Sequence, residues 1–216
     1  MRTARFATLA AAALFASAAA HTPVPVSTMG FFITSTGTGN GADLGGLAGA
    51  DRHCAQLAEA MGVSGRTWRA YLSSIASAGQ SAVSARDRIG KGPWLNAKGV
   101  QVATDVAMLH SDANLLGKEN SLNEKGEKVN GRGDTPNMHD ILTGSTMDGR
   151  VSSDTTDTTC RNWTSRAEGS ALVGHHDKIG GGANPTSWNS AHGSRGCSLP
   201  NLQGSGGNGL FYCFAI

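Results

Sequence analysis

Between residues 50 and 61 the apolar side chains keep helical spacing. Ala50, Cys54, Leu57, Ala58 and Met61 fall at i, i+4, i+7, i+8 and i+11, which is one face of an α-helix. Asp51 favours the N-terminal end of that helix and Gly62 supplies its stop, so Cys54 faces the core. The period then changes to two: Trp68, Ala70 and Leu72 alternate with Arg69 and Tyr71, a strand with one buried face. Residues 29–35 (MGFFITS) have the aromatic and β-branched content of another strand, and residues 37–46 form a glycine-rich turn region. Residues 210–216 (LFYCFAI) are apolar almost without interruption, which suits a central strand covered on both faces. A second short helix is expected over residues 80–89, and a turn carrying a large aromatic over residues 91–96 (KGPWLN). Residues 109–140, rich in Asn, Gly, Lys and Glu, predict loop with little core. The rest, from 141 to 216, reads as short strands between Gly, Ser and Thr turns.

The N-terminus follows a different rule. Arg2 and Arg5 precede an apolar run over residues 6–15, and Ala18-Ala19-Ala20 then offers a small-residue cleavage site. This is the pattern of a secretory signal peptide, and the run is shorter than the ~20 residues a membrane helix needs. The expected organisation is a signal peptide over 1–20, an extended leader over 21–28 and one domain over 29–216. The expected location is periplasmic or secreted. There is no cysteine at the cleavage site to carry a lipid anchor, and no later apolar stretch is long enough to be a span.

Composition narrows the function classes. A net charge of +2, with no basic stripe among aromatics, argues against nucleic acid. Thirty glycines and 16% charged residues point to a loop-rich fold with tight turns. Cys54, Cys160, Cys197 and Cys213 make an even set. In an exported chain that reads as two disulfides, and sequence alone leaves three pairings open. A zinc–thiolate site is disfavoured because no C-x-x-C pair occurs.

Residues 45–74 (GGLAGADRHCAQLAEAMGVSGRTWRAYLSS) resemble the opening of the endostatin domains found at the C-termini of certain collagens. Further segments are similar to a family of exported bacterial domains of unknown function that share the endostatin-like variant of the C-type lectin fold. These are residues 88–99 (RIGKGPWLNAKG), 141–150 (ILTGSTMDGR) and 159–165 (TCRNWTS), with Cys197 and residues 210–214 (LFYCF). The resemblance implies an α+β, C-type-lectin-like domain: two helices packed on short, mostly antiparallel strands, with long loops. It also implies nested disulfides, Cys54 with Cys213 and Cys160 with Cys197. The reading of the residues agrees in part, since a core-facing helix and a core strand bring Cys54 and Cys213 together naturally.

Several residues are candidates for binding. Trp68, Trp94 and Trp163 read as core aromatics, whereas Trp188 sits in a Gly, Asn and Ser-rich loop where its ring could meet a sugar, with Asn189 beside it. Calcium-dependent sugar binding needs a cluster of oxygen ligands, and Ser190 stands where an acidic ligand would follow the Trp-Asn pair. Endostatin domains bind heparin through surface arginines, and Arg86 and Arg88 match that segment, with Asp87 between them as a local partner. His21, which cleavage would leave as the first residue, offers an α-amine and an imidazole to copper or zinc. The second histidine of the endostatin zinc site is replaced here by Pro23. His175 and His176, with Asp177, or His192 are the other metal candidates. No nucleophile elbow, zinc-protease helix or phosphate loop occurs. The sequence therefore predicts a non-catalytic, exported recognition module for a glycan or surface protein. Its alternatives are a copper or zinc protein built on His21, or a structural envelope protein with no small ligand.

Overall fold

A computed structural model describes Met1 and residues 28–77, 79–154 and 156–216 of the 216-residue chain. The expected signal peptide, most of the leader and His21 lie outside the described residues. Thirteen elements run in the order β1 (Phe31–Ile33), α1 (Gly46–Ala60), β2 (Trp68–Ala70), α2 (Ala85–Arg88), β3 (Trp94–Leu95), β4 (Gln101–Ala103), α3 (Val106–Leu109), β5 (Asp140–Leu142), α4 (Cys160–Trp163), β6 (Leu172–His175), β7 (His192–Gly193), α5 (Leu199–Ser205) and β8 (Gly207–Ala215). The class is α+β. Six strands form one mixed sheet in the order β1-β8-β5-β6-β7, with β2 also paired to β8, and β3 and β4 form a separate hairpin. Among the described strand pairs only β5–β8 is parallel, and an isolated parallel bridge joins Ile33 to Asn123.

Strand β8 is the centre of this sheet because both of its faces are apolar. Phe211, Cys213 and Ala215 enter one core with Phe32, Trp68, Leu142 and Val173. Leu210, Tyr212 and Phe214 enter a second with Phe31, Tyr71, Trp94 and Ile141. Helix α1 covers the first core through Ala50, Cys54 and Ala58, and its chain turns out at Gly62, where φ is +78°. The Cys54–Cys213 disulfide ties α1 to β8, and Cys160–Cys197 closes a loop of the same half of the molecule. Both bonds accord with an oxidising compartment. Among the described residues no helix is long and apolar enough to cross a membrane.

The structure departs from the sequence reading in several places, and Tyr71, expected on the polar face of its strand, is fully buried in the second core. The helix expected over residues 80–89 is a single turn, α2. Before it, bridges join Ser74 to Val83 and Ser77 to Gln80, so residues 80–83 are paired as an irregular hairpin and are not available to a helix. The second longer helix is instead α5, where strands were expected. Its cap is Ser198, whose side chain accepts from Asn201 N, with a proline in the first turn and Gly206 in the left-handed region as its stop. Asp51 is not at a helix end but buried in α1, bonded to Arg69, Arg88 and Ala70 N. Finally, the polar stretch 109–140 does contribute core: Leu109, Leu116 and Val129 belong to the second apolar cluster.

Candidate metal centre

Strands β5 and β6 are antiparallel with Asp140 directly opposite His175, so the start of one and the end of the other bring a carboxylate and an imidazole together. Strand β7 adds His192 next to β6, opposite Val173. His139 immediately precedes β5. The result is a convergence on one atom. Asp140 Oδ1 lies 3.2 Å from His139 Nε2, 3.3 Å from His175 Nε2 and 3.4 Å from His192 Nε2. His139, Asp140 and His175 are buried, and His192, with its side chain 24% exposed, forms the outer lip.

The other nitrogen of each ring is already committed. His139 Nδ1 faces Asp177 Oδ1 at 3.3 Å, His175 Nδ1 faces the Pro185 carbonyl at 2.8 Å, and His192 Nδ1 faces the Gly193 carbonyl at 3.0 Å. An ionised carboxylate or a carbonyl can only accept, so each Nδ1 carries the proton. A neutral ring then presents a bare Nε2 lone pair to the cluster. Asp177 is itself fixed, accepting from Arg132 N at 2.6 Å and Ile179 N at 3.3 Å.

Both carboxylates are held ionised. Burial pushes the Asp140 carboxyl up, but N–H donation from His175 and His192 and positive charge on His192 and His139 outweigh it and leave it below the ordinary range, so in the ion-free site some of these rings carry their proton toward Asp140. Burial likewise opposes ionisation of Asp177, and His139 with the Arg132 amide holds it far below that range. The Asp140 carboxylate raises His192 in turn, against the opposing effect of burial. Despite the short distances, both Asp140 oxygens and His175 Nε2 lack any aligned hydrogen-bond partner. Buried polar atoms without partners are uncommon and costly.

Glycines wall the cluster. A methyl on Gly180 would overlap the His175 ring, one on Gly182 would stand 3.0 Å from His192 Cβ and Cδ2, and one on Gly206 would stand 3.0 Å from His139 Cδ2 and Nε2. At Gly131 it would stand 2.6 Å from Asp177 Oδ2. The backbone thus lies directly against each of these side chains and limits its rotamers.

Of the metal candidates read from sequence, His175 and His192 belong to this centre. His176 does not: it is buried with Nε2 3.0 Å from the Asn130 carbonyl, and burial lowers its basicity. His139 and Asp140 were missed. The available signal was the His-Asp dipeptide, which occurs at 139–140 and again at 176–177.

Each expected ligand-binding residue has partners inside the fold, although Trp188 and Asn189 also line a cavity of about 360 Å³ with His110 and Lys178. Trp188 is 4% exposed, its ring set among Tyr71, His110 and Tyr212, so the exposed loop aromatic of the sequence reading is a buried one. Asn189 donates to Tyr71 Oη and to the Thr146 and Met147 carbonyls, which pins its loop. Arg88 is turned inward to the Ala70 carbonyl and Asp51, and Arg86 donates to the Asp148 carbonyl. Their partners are Asp51 and Asp148, not the adjacent Asp87, and Arg88 is not available to an acidic glycan. Trp68, Trp94 and Trp163 are core aromatics as expected.

Comparison with models of known protein families finds no match. Comparison with curated proteins finds none either.

Proposed function

We propose that this protein is an exported metal-binding domain whose ion is held by His139, Asp140, His175 and His192. The observation that carries this reading is the set of three imidazoles, each with Nδ1 facing an acceptor, whose Nε2 atoms gather within 3.4 Å of one buried carboxylate oxygen. Without a cation each ring either directs a lone pair at the anion or carries a second proton as imidazolium. Protonating both His139 and His175 places positive charge on two rings that stack 4.3 Å apart and 9° from parallel. A divalent ion removes the conflict, since its charge offsets Asp140 and Asp177 while the rings stay neutral. The stacked rings need one to tilt for both to ligate, a motion about the soft terminal torsion of histidine.

Three imidazoles and a carboxylate suit zinc or copper. Calcium, which takes 6–8 oxygen ligands, is a poor match. The Asp177–His139 pair and the two carbonyl-bonded histidines supply the outer hydrogen bonds that orient metal-bound imidazoles. The α+β class, the nested disulfides, the mostly antiparallel short strands and the long loops support an endostatin-like, C-type-lectin-like architecture. The ion reading moves the metal from His21 to the sheet.

The test is zinc and copper titration of chelator-treated protein, with metal content measured after gel filtration. One ion per chain is expected, retained in His21→Ala and His176→Ala and lost in Asp140→Ala and His175→Ala. No bound ion, or binding that disappears with His21 and survives loss of His175, rejects this centre.

A further inference from the structure

The metal centre forms the floor of an open cavity of about 420 Å³, whose wall includes Arg132, Asn137, His192, Arg195 and Ser205. Resting on the metal reading above, we propose that this cavity takes a dianionic oxyanion, inorganic phosphate or a phosphomonoester, bound between the ion and the two arginines.

The argument is one of charge and donor geometry. At the floor, a divalent ion with neutral imidazoles is balanced by Asp140 and Asp177, and no acidic side chain lines the cavity above them. The wall then carries two uncompensated guanidiniums. Among the described residues, Arg132 and Arg195 have no carboxylate within 4.0 Å, which is also true of Arg52, Arg66, Arg161 and Arg166, but Arg132 and Arg195 are the two that line this cavity. The Arg132 backbone is anchored here, because its N–H donates to Asp177 Oδ2 and Asp177 holds His139, while its exposed guanidinium is free to turn to a ligand. The same carboxylate therefore fixes both a metal ligand and the main chain from which a rim arginine projects.

Asn137 adds a directed neutral group. Its Oδ1 accepts from His139 N at 3.2 Å, which leaves its amide N–H groups as donors to the cavity. A phosphate group carries about −1.5 to −2 charge near neutral pH and three strong acceptor oxygens. It matches two guanidinium forks, one amide donor and a metal position. A monocarboxylate satisfies only half of the charge, and a neutral sugar none of it.

The experiment is calorimetric titration of inorganic phosphate, and separately phenyl phosphate, into the zinc-loaded protein in a phosphate-free buffer. It is repeated on the Arg132→Gln/Arg195→Gln double variant, with zinc content measured in each sample. The expected result is phosphate binding that weakens at least about tenfold in the double variant while zinc stays at one per chain. Binding of phenyl phosphate as tight as that of phosphate identifies a monoester site, and its absence restricts the ligand to the free anion. Equal affinity in the double variant, or no phosphate binding by a protein that holds zinc, overturns the proposal and leaves the metal centre standing. A wild-type protein that holds no zinc fails the metal reading itself, and this inference with it.

Discussion

Asp140 and His175 face each other across the β5–β6 ladder, and their side chains meet 3.3 Å apart on the face that continues into the first core. Backbone pairing fixes the distance between their Cβ atoms, so half of the proposed ligand set exists before any ion arrives. A preformed site that binds only the folded chain adds its binding free energy to stability. Zinc at a hundred times its dissociation constant contributes about 2.7 kcal/mol. For a domain of this size that raises the melting temperature by about 5–10 °C. Differential scanning fluorimetry with zinc and with EDTA measures this, and Asp140→Asn is expected to abolish the shift.

The glycine wall makes a second, sharper prediction. Gly180→Ala drives a methyl into the His175 ring, whereas a methyl on neighbouring Gly181 meets nothing within 4 Å. Displacing a ligand by its supporting shell typically costs 10–100-fold in metal affinity. Gly180→Ala is therefore expected to lose zinc affinity by about that factor with its circular dichroism spectrum unchanged, and Gly181→Ala to behave as wild type. Equal affinity in the two variants would show that the ring position is not set by Gly180.

Much of the frame was legible because it is periodic. The 3.6-residue spacing of Ala50, Cys54 and Ala58 marked α1, the alternation from Trp68 marked β2, and the apolar run ending in β8 marked the strand at the centre of the sheet. The centre was not legible, for a physical reason. Its four residues come from positions 139, 140, 175 and 192, and what joins them is the register of three short strands, each two to four residues long. Strands that short carry too little pattern to declare a partner. The same lack of long-range information made Arg88 look like a surface cation, when its partner Asp51 lies 37 positions away.

That pair is itself testable. Asp51 binds Arg88 at 2.8 Å, with both side chains nearly buried, and Arg69 at 3.0 Å near the surface. Burial lowers the Arg88 pKa and Asp51 opposes it, yet the guanidinium stays charged. Asp51→Ala strands that charge in the protein, for which about 3–5 kcal/mol is the expected loss. It also removes the acceptor for Ala70 N. The Asp51→Leu/Arg88→Met pair removes the stranded charge but still leaves that amide unpaired, a cost of about 1–3 kcal/mol. Urea unfolding should rank the double variant between wild type and Asp51→Ala. A double variant no better than Asp51→Ala would mean that the amide, not the arginine, dominates.

The last prediction concerns the chain's two tyrosines, Tyr71 and Tyr212, both fully buried. His110 Nδ1 faces the Val106 carbonyl at 2.8 Å and so carries its proton there, which leaves Nε2 to accept from the Tyr71 hydroxyl at 2.7 Å. Tyr212 donates to the Trp188 carbonyl at 2.8 Å. Both hydroxyl protons are therefore in use, and burial drives both groups well above the ordinary phenol value. The unfolded chain releases these protons near pH 10, the folded chain does not, and above that pH the folded state binds about two protons more. Stability then falls as pH rises, by about 2.7 kcal/mol per pH unit for the pair, having been unaffected by them below pH 9. Tyrosinate absorbance should stay flat through pH 10 and then appear in one cooperative step with the loss of near-ultraviolet dichroism. A gradual titration of either ring in a chain that is still folded would sink the argument, because it would require a tyrosine with solvent at its hydroxyl.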